Sequence, residues 1–207
     1  EQASALGARS IAMDFLFAEP DRLSLAEVGD LYRRDRGIEL NLSGVPGDAL
    51  DNDRVLAETV ARHAVVLGAD LRFDETMPDR GQVCGNPLSV VLRALPETEG
   101  TPPVPLASGM VCPVPELAEA ATFVAATNSL PDRDGKLRRA PLVLRCGEKW
   151  VPSLAAGALL AASGENQVVL KWSNAGVLEL RIGETVIPTD GQGNLLFPFR
   201  MRPPDRF

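Results

Sequence analysis

The stretch DNDRVLAETVARHAVVLGADLRF, residues 51–73, decides the fold class. Asp51 or Asn52 supplies an N-cap, because a short side-chain oxygen accepts from backbone N–H groups that a helix start leaves unpaired. Val55, Leu56, Thr59 and Val60 recur at helical spacing and predict one apolar face. The helix runs to about His63, and residues 64–73 follow as a strand. His63 stands where a histidine ordinarily meets the helix dipole, with a ligand role as the rival reading. Upstream, SIAMDFLF at residues 10–17 predicts a buried strand, interrupted by one carboxylate, Asp14. It follows a short helix over residues 1–6 that Gly7 stops. Ser24, with Glu27 three residues later, predicts a capping box on a helix running to about Arg36. Residues 37–49 are polar and glycine-rich, hence loop. The order helix, strand, helix, strand points to an α/β core.

Downstream of residue 73 the pattern changes. Residues 74–109 are rich in proline and glycine, with one apolar stretch at 88–95. They read as an inserted excursion, bounded at 74–111, that carries a strand over 89–94. Excursions of this length are commonly functional or mobile. Pro115 opens a helix to about Ala121. Residues 122–128 form a strand, Asp134-Gly135 tips a turn, and residues 137–146 return, which predicts an antiparallel hairpin. Ser153 caps a helix that ends near Gly164. Three β runs follow at 168–172, 177–182 and 185–187, then a last strand at 195–199 and a basic, proline-rich tail. The expected architecture is α/β: a mixed sheet flanked by helices, with an antiparallel C-terminal part and a long inserted loop region.

The chain of 207 residues fits one domain, 1–207. No apolar run approaches the roughly 18–20 residues that span a bilayer. Glu1 opens abruptly inside the first helix, so the chain reads as a fragment of a longer protein. The net charge of −7 repels phosphate backbones and argues against nucleic-acid binding. The three cysteines show no CxxC or CxxH spacing, so a structural zinc site is not expected. Cys84 and Cys112 flank the same irregular stretch and are the expected pair in an oxidising compartment, with three reduced thiols as the alternative. Cys146 reads as a small strand residue.

Catalytic motifs are missing. The sequence holds no GxSxG elbow, no HExxH and no Walker loop, and His63 is the sole histidine. Asp132-Arg133-Asp134-Gly135 begins like a calcium loop, but Val143 stands where the twelfth-position glutamate belongs, so a turn is expected and no metal. No cofactor is expected either. Asp14, placed in an apolar strand, must find a partner or shift its pKa. With Glu19 and Asp21 it is expected to cluster at the end of a strand, where ligands dock in α/β sheets. The other reading has Asp14 accepting backbone or arginine hydrogen bonds and holding a loop. Arg138 and Arg139 point to opposite faces of a strand start. A fork from one of them to Asp14 or Asp132 forms a clamp, or else holds an anionic ligand.

Five segments share one resemblance: IAMDFLFAEPD (11–21), DNDRVLAETVARHAVVLG (51–68), PVPELAEAATFVAATNSLPDRDGKLRRAPLVLR (113–145), WVPSLAAGALLA (150–161) and LRIGETVIPTDGQGNLLFPFR (180–200). In order and spacing they resemble the CHASE family, type two, an extracytoplasmic sensor found ahead of bacterial cyclases and histidine kinases. Asp14, Asn128, Asp134, Gly135, Arg138, Arg139, Pro141, Ser153, Pro188, Thr189 and Asp190 match the family pattern. The resemblance implies a periplasmic location on the inner membrane, flanking transmembrane helices, and a cytoplasmic effector. It also implies an earlier strand and helix ahead of Glu1. The expected partner is a small-molecule or periplasmic signal, and a second copy in a homodimer. The candidate ligand site is Asp14, Glu19, Asp21, Asn128, Asp132, Arg138 and Arg139. The rival is a non-sensing structural or dimerisation module that uses residues 74–109. An enzyme using Asp14 and Glu19 lacks a recognisable nucleophile, base or metal set.

Overall fold

A computed structural model describes residues 2–47, 50–74 and 83–197. The molecule is organised around β2 (Val65–Arg72), which is buried over most of its length. β2's hydrogen bonds show which strand lies on which edge. Val65 O and Ala69 O accept from Thr122 N and Thr127 N, while Ala64 O and Arg72 O accept from Ile11 N and Ser108 N. β6 (Phe123–Ala126) therefore runs parallel along one edge. Along the other lie β1 (Ile11–Met13), parallel, and then β5 (Gly109–Val111), antiparallel. An isolated bridge between Ala126 and Ser153 carries the sheet from β6 towards β9 (Lys149–Pro152). β8 (Val143–Cys146) pairs antiparallel with β9 and parallel with β4 (Leu106–Ala107).

Alternation along β2 feeds two cores, because successive side chains leave a strand on opposite faces. Val65, Leu67, Ala69 and Leu71 join one core with Ala57 and Val60 of α3 (Asn52–Ala61) and Leu117 and Ala118 of α4 (Pro115–Ala120). Val66 joins the other, with Ala156 and Leu160 of α5 (Leu154–Ser163). Gly157 brings α5 close: a Cβ there would sit 3.0 Å from Val66 Cγ1 and 3.2 Å from Ala125 Cβ. A second sheet closes this core, in the order β12 (Thr185–Ile187), β11 (Gly176–Ile182), β10 (Gln167–Ser173), β3 (Ser89–Ala94). It contributes Val168, Leu170, Trp172, Val177, Leu180 and Ile182. β13 (Asn194–Leu196) pairs antiparallel with β7 (Arg139–Pro141). No helix among the described residues is long and apolar enough to cross a membrane.

The α/β class and the mixed sheets agree with the sequence reading, and several details correct it. The predicted strand over residues 10–17 stops at Met13, because β5 takes over that edge of β2. The hairpin between residues 122–128 and 137–146 does not form. β6 pairs with β2, and the returning segment divides into β7 and β8, which pair elsewhere. α2 (Leu25–Arg36) ends at Gly37 as expected, but Ser24 makes no side-chain cap bond and no α2 residue is buried. On α3 the buried face turns towards Ala57 and Val60, leaving Val55 39% exposed, since the small Ala57 lets α4 approach. The described part of the excursion is built into the fold, supplying β3, β4 and β5. The remainder of the excursion at 75–82, Glu1, and the tail at 201–207 lie outside the described residues, as do residues 198–199 of the last strand.

Candidate functional site

β6 ends at Ala126 while β2 runs on to Arg72. The side chain of Asn128 takes the place of the missing strand. Its Oδ1 accepts from Leu71 N at 2.7 Å, and its Nδ2 donates to Leu71 O at 2.9 Å and to Asp70 Oδ1 at 2.8 Å. A primary amide carries one acceptor and two donors, so it can satisfy both backbone groups of a buried residue together. Arg72 Nε lies 3.1 Å from the other Asp70 oxygen.

The chain then makes a tight turn. Asp132 N donates to Lys136 O at 2.9 Å and Gly135 N to Asp132 O at 2.8 Å. Gly135 adopts φ 76°, a left-handed conformation that suits glycine. The turn aims two carboxylates at Arg138. Its guanidinium grips Asp134 with two bonds of 2.9 Å, and its Nη1 also reaches Asp132 Oδ2 at 3.0 Å. Arg139 Nε lies 3.5 Å from Asp132 Oδ1, and its Nη1 donates to Asp190 Oδ2 at 3.0 Å. Asp190 in turn organises the loop before β13. Its Oδ1 accepts from Gln192 N and Asn194 N, each at 2.9 Å, and its Oδ2 from Asn194 Nδ2 at 3.1 Å.

Asp132, at the centre, touches both guanidinia. The bidentate, charge-assisted grip of Arg138 on Asp134 fixes geometry more than a lone point charge does. The Arg138 side chain holds the Asp134 carboxyl below the ordinary carboxylate value, and the Lys136 backbone N–H adds to this. At Asp190 burial pushes the carboxyl up, but hydrogen bonds from Asn194, Gln192 and Arg139 outweigh it and the pKa lies lower than usual. The Arg138 guanidinium is raised further by Asp134 and Asp132. The network joins two segments more than fifty residues apart in the chain.

The carboxylates from the N-terminal strand are arranged differently. Asp14 is exposed, correcting its placement in a buried strand, and no hydrogen bond or ion pair holds it among the described residues. The fork expected to reach Asp14 or Asp132 goes to Asp132. Glu19 is exposed and pairs with Arg22. Asp21 instead anchors the start of α3, accepting from Asn52 Nδ2 at 2.6 Å and Leu23 N at 3.0 Å, while its own N–H donates to Asp53 at 2.8 Å. The Asn52 bond, then the Leu23 bond, hold the Asp21 carboxyl below its usual range. A cavity of about 320 Å³ opens beside it, with Ser24, Glu27, Asp51, Asp53 and Glu116 among its walls. Asp14, Glu19 and Asp21 share no hydrogen bond with one another or with the arginine pair among the described residues.

Cys84 and Cys112 are joined by a disulfide, Cα–Cα 5.9 Å, beside the first core, and Cys146 is buried within that core. Among the described residues no group of three or more histidine, cysteine or acidic side chains is placed to hold a metal ion. His63 follows α3, where its backbone bridges Val60 O and Val65 N. Asp190 and Asn194 close the arginine network but were absent from the candidate ligand set. The signal for them was the Asp-Gly-x-Gly-Asn run at 190–194, which lets backbone N–H groups curl around a carboxylate.

A search of curated proteins and a search of solved structures find no significant match. The CHASE2 domain family model matches residues 1–207, the whole length. CHASE2 domains are extracytoplasmic sensory domains of signalling proteins. The positions that form the network, Asp134, Arg138, Arg139 and Asp190, are among those that resemble the family pattern, and with a match over its entire length this chain belongs to the CHASE2 domain family.

Proposed function

We propose that the chain is the ligand-sensing, non-catalytic domain of a membrane-bound bacterial signalling protein of the cyclase or histidine kinase type. It would pass its signal to a cytoplasmic effector across the inner membrane. The observation that carries this reading is membership of a sensory family over the whole chain. We further propose that the signal acts through the arginine network. Asp132 accepts a hydrogen bond from Arg138 and forms an ion pair with Arg139, and each arginine holds a second carboxylate as well. An anionic ligand can therefore compete with the Asp132 carboxylate for the two guanidinia while Asp134 and Asp190 keep their bonds, breaking the tie between the 132–136 turn and Arg139. A ligand shifts a conformational balance only by its differential affinity for the two states, and this exchange supplies such a difference.

The test is thermal stability of the purified chain with inorganic phosphate, succinate and putrescine as probes, since selective binding to the folded state raises stability. An increase with an anion in the parent chain that is lost in Arg139→Ala supports the reading. Effector output of the full-length protein that is unchanged by Arg138→Ala and Arg139→Ala together counts against it.

A further inference from the structure

β3 (Ser89–Ala94) ends the second sheet, paired on one side with β10 in unbroken parallel register. Leu95 N donates to Trp172 O at 3.0 Å, which places the backbone groups of the odd-numbered β3 residues towards β10. The N–H and C=O groups of Val90, Leu92 and Ala94 therefore point outward, and they meet no partner among the described residues. An unpaired edge of this kind is a template for another strand. The other sheet-edge strands are short: β12 spans three residues and β4 two. β3 spans six and carries no proline, no lysine and no register shift to blunt it. The chain beyond β3 does not cover the edge either. Asn174, in the β10–β11 turn, holds Glu97 O and Glu99 N on the opposite side.

We infer that β3 is the seam of a homodimer, in which its free edge pairs antiparallel with the same edge of a second copy and Leu92 faces Leu92 across the twofold axis. Outward groups must meet outward groups, so even-numbered residues pair with even-numbered ones. Centring on Leu92 sets Val90 against Ala94 and Val91 against Arg93. No like charges then stand opposite each other, which a self-complementary interface requires. Leu92 shares its face with the fully buried Leu170, its register partner, yet is 46% exposed. The second copy's Leu92 covers that open flank. The result is one sheet continuous through both chains.

The experiment is mass in solution, by light scattering on the purified chain at its highest soluble concentration. The parent is expected at twice the 22.1 kDa of one chain. Leu92→Pro removes an outward N–H without touching the ladder to β10, and is expected at the single mass with unchanged circular dichroism. Leu92→Lys keeps every backbone group, places two ammonium groups on the axis, and is expected to dissociate likewise, so a misfolded proline variant does not leave the question open. In Leu92→Cys, diamide accepts two electrons and two protons from the two thiols and yields a symmetric disulfide. Opposed Cα atoms in such a pair lie about 5.5 Å apart, within disulfide reach. The control, Val186→Cys on β12, is expected to stay uncrosslinked. A parent chain at the single mass overturns the inference. So does a double mass that survives both Leu92→Pro and Leu92→Lys, with Leu92→Cys left uncrosslinked.

Discussion

The carboxylates near the N-terminus and the arginine network carry the same kinds of charged group, yet they behave as different objects. Asp14 and Glu19 are exposed, and Glu19 pairs only with its near neighbour Arg22. Asp132, Asp134 and Asp190 are locked by two guanidinia and by backbone N–H groups, and that lock ties the turn at 132–136 to the loop before β13. Charge alone does not make a site. What distinguishes the network is that its members share guanidinia, and that the Arg139–Asp190 bond ties the 132–139 segment to a loop fifty-one residues away.

That contrast can be broken experimentally. The largest effect is expected from Asp190→Ala, which removes the one carboxylate that accepts from Asn194, Gln192 and Arg139. It should lower unfolding stability by about 3 kcal/mol, since hydrogen bonds to a charged group are the strong ones. The measurement is the urea midpoint at unchanged slope. Asn128→Ala leaves both backbone groups of buried Leu71 unpaired and should cost about 2 kcal/mol by the same measurement.

Acid sharpens the comparison without a mutation. Asp134 and Asp190 titrate below the ordinary carboxylate value of 3.8 when folded. The stability they provide is therefore present above that value and is lost as the pH falls through their folded pKa values. Urea midpoints taken below pH 3.8 should fall with acid, and Asp190→Ala should flatten that fall. Equal acid slopes in the two proteins would show that Asp190 takes no part. Asp14→Asn should have the smallest effect, within about 0.5 kcal/mol, because an exposed carboxylate with no partner among the described residues restrains little. A larger loss of stability would place Asp14 with the network after all.

Much of the fold was legible before any coordinates. Asp51, one of two cap candidates, the cap at Ser153, the glycine stops at Gly37 and Gly164, and the strand over 89–94 all stand where the sequence placed them. These are local signals, set by which backbone groups a short side chain can reach or by which residue tolerates a left-handed turn. The arginine pair was legible as a clamp, and its partner Asp132 was one of two named. Less legible was Asp190, whose role depends on a pairing between β7 and β13 that neither segment announces. Asp14 is exposed despite its apolar neighbours in sequence, because burial depends on tertiary packing that local hydrophobicity does not specify. β1 ends one residue before Asp14, at Met13, and β5 takes the rest of that edge of β2.

The sequence by itself determined the α/β class, most element boundaries and the positions shared with the CHASE2 family, because these depend on neighbours within a few residues. Tertiary structure alone decided the strand partners: β6 beside β2 in place of a hairpin, β3 beside β10, and β13 beside β7. Every strand offers the same row of N–H and C=O groups to any other. Partner choice is thus settled by which pairing also buries the right face, as when alternate residues of β2 fill two separate cores.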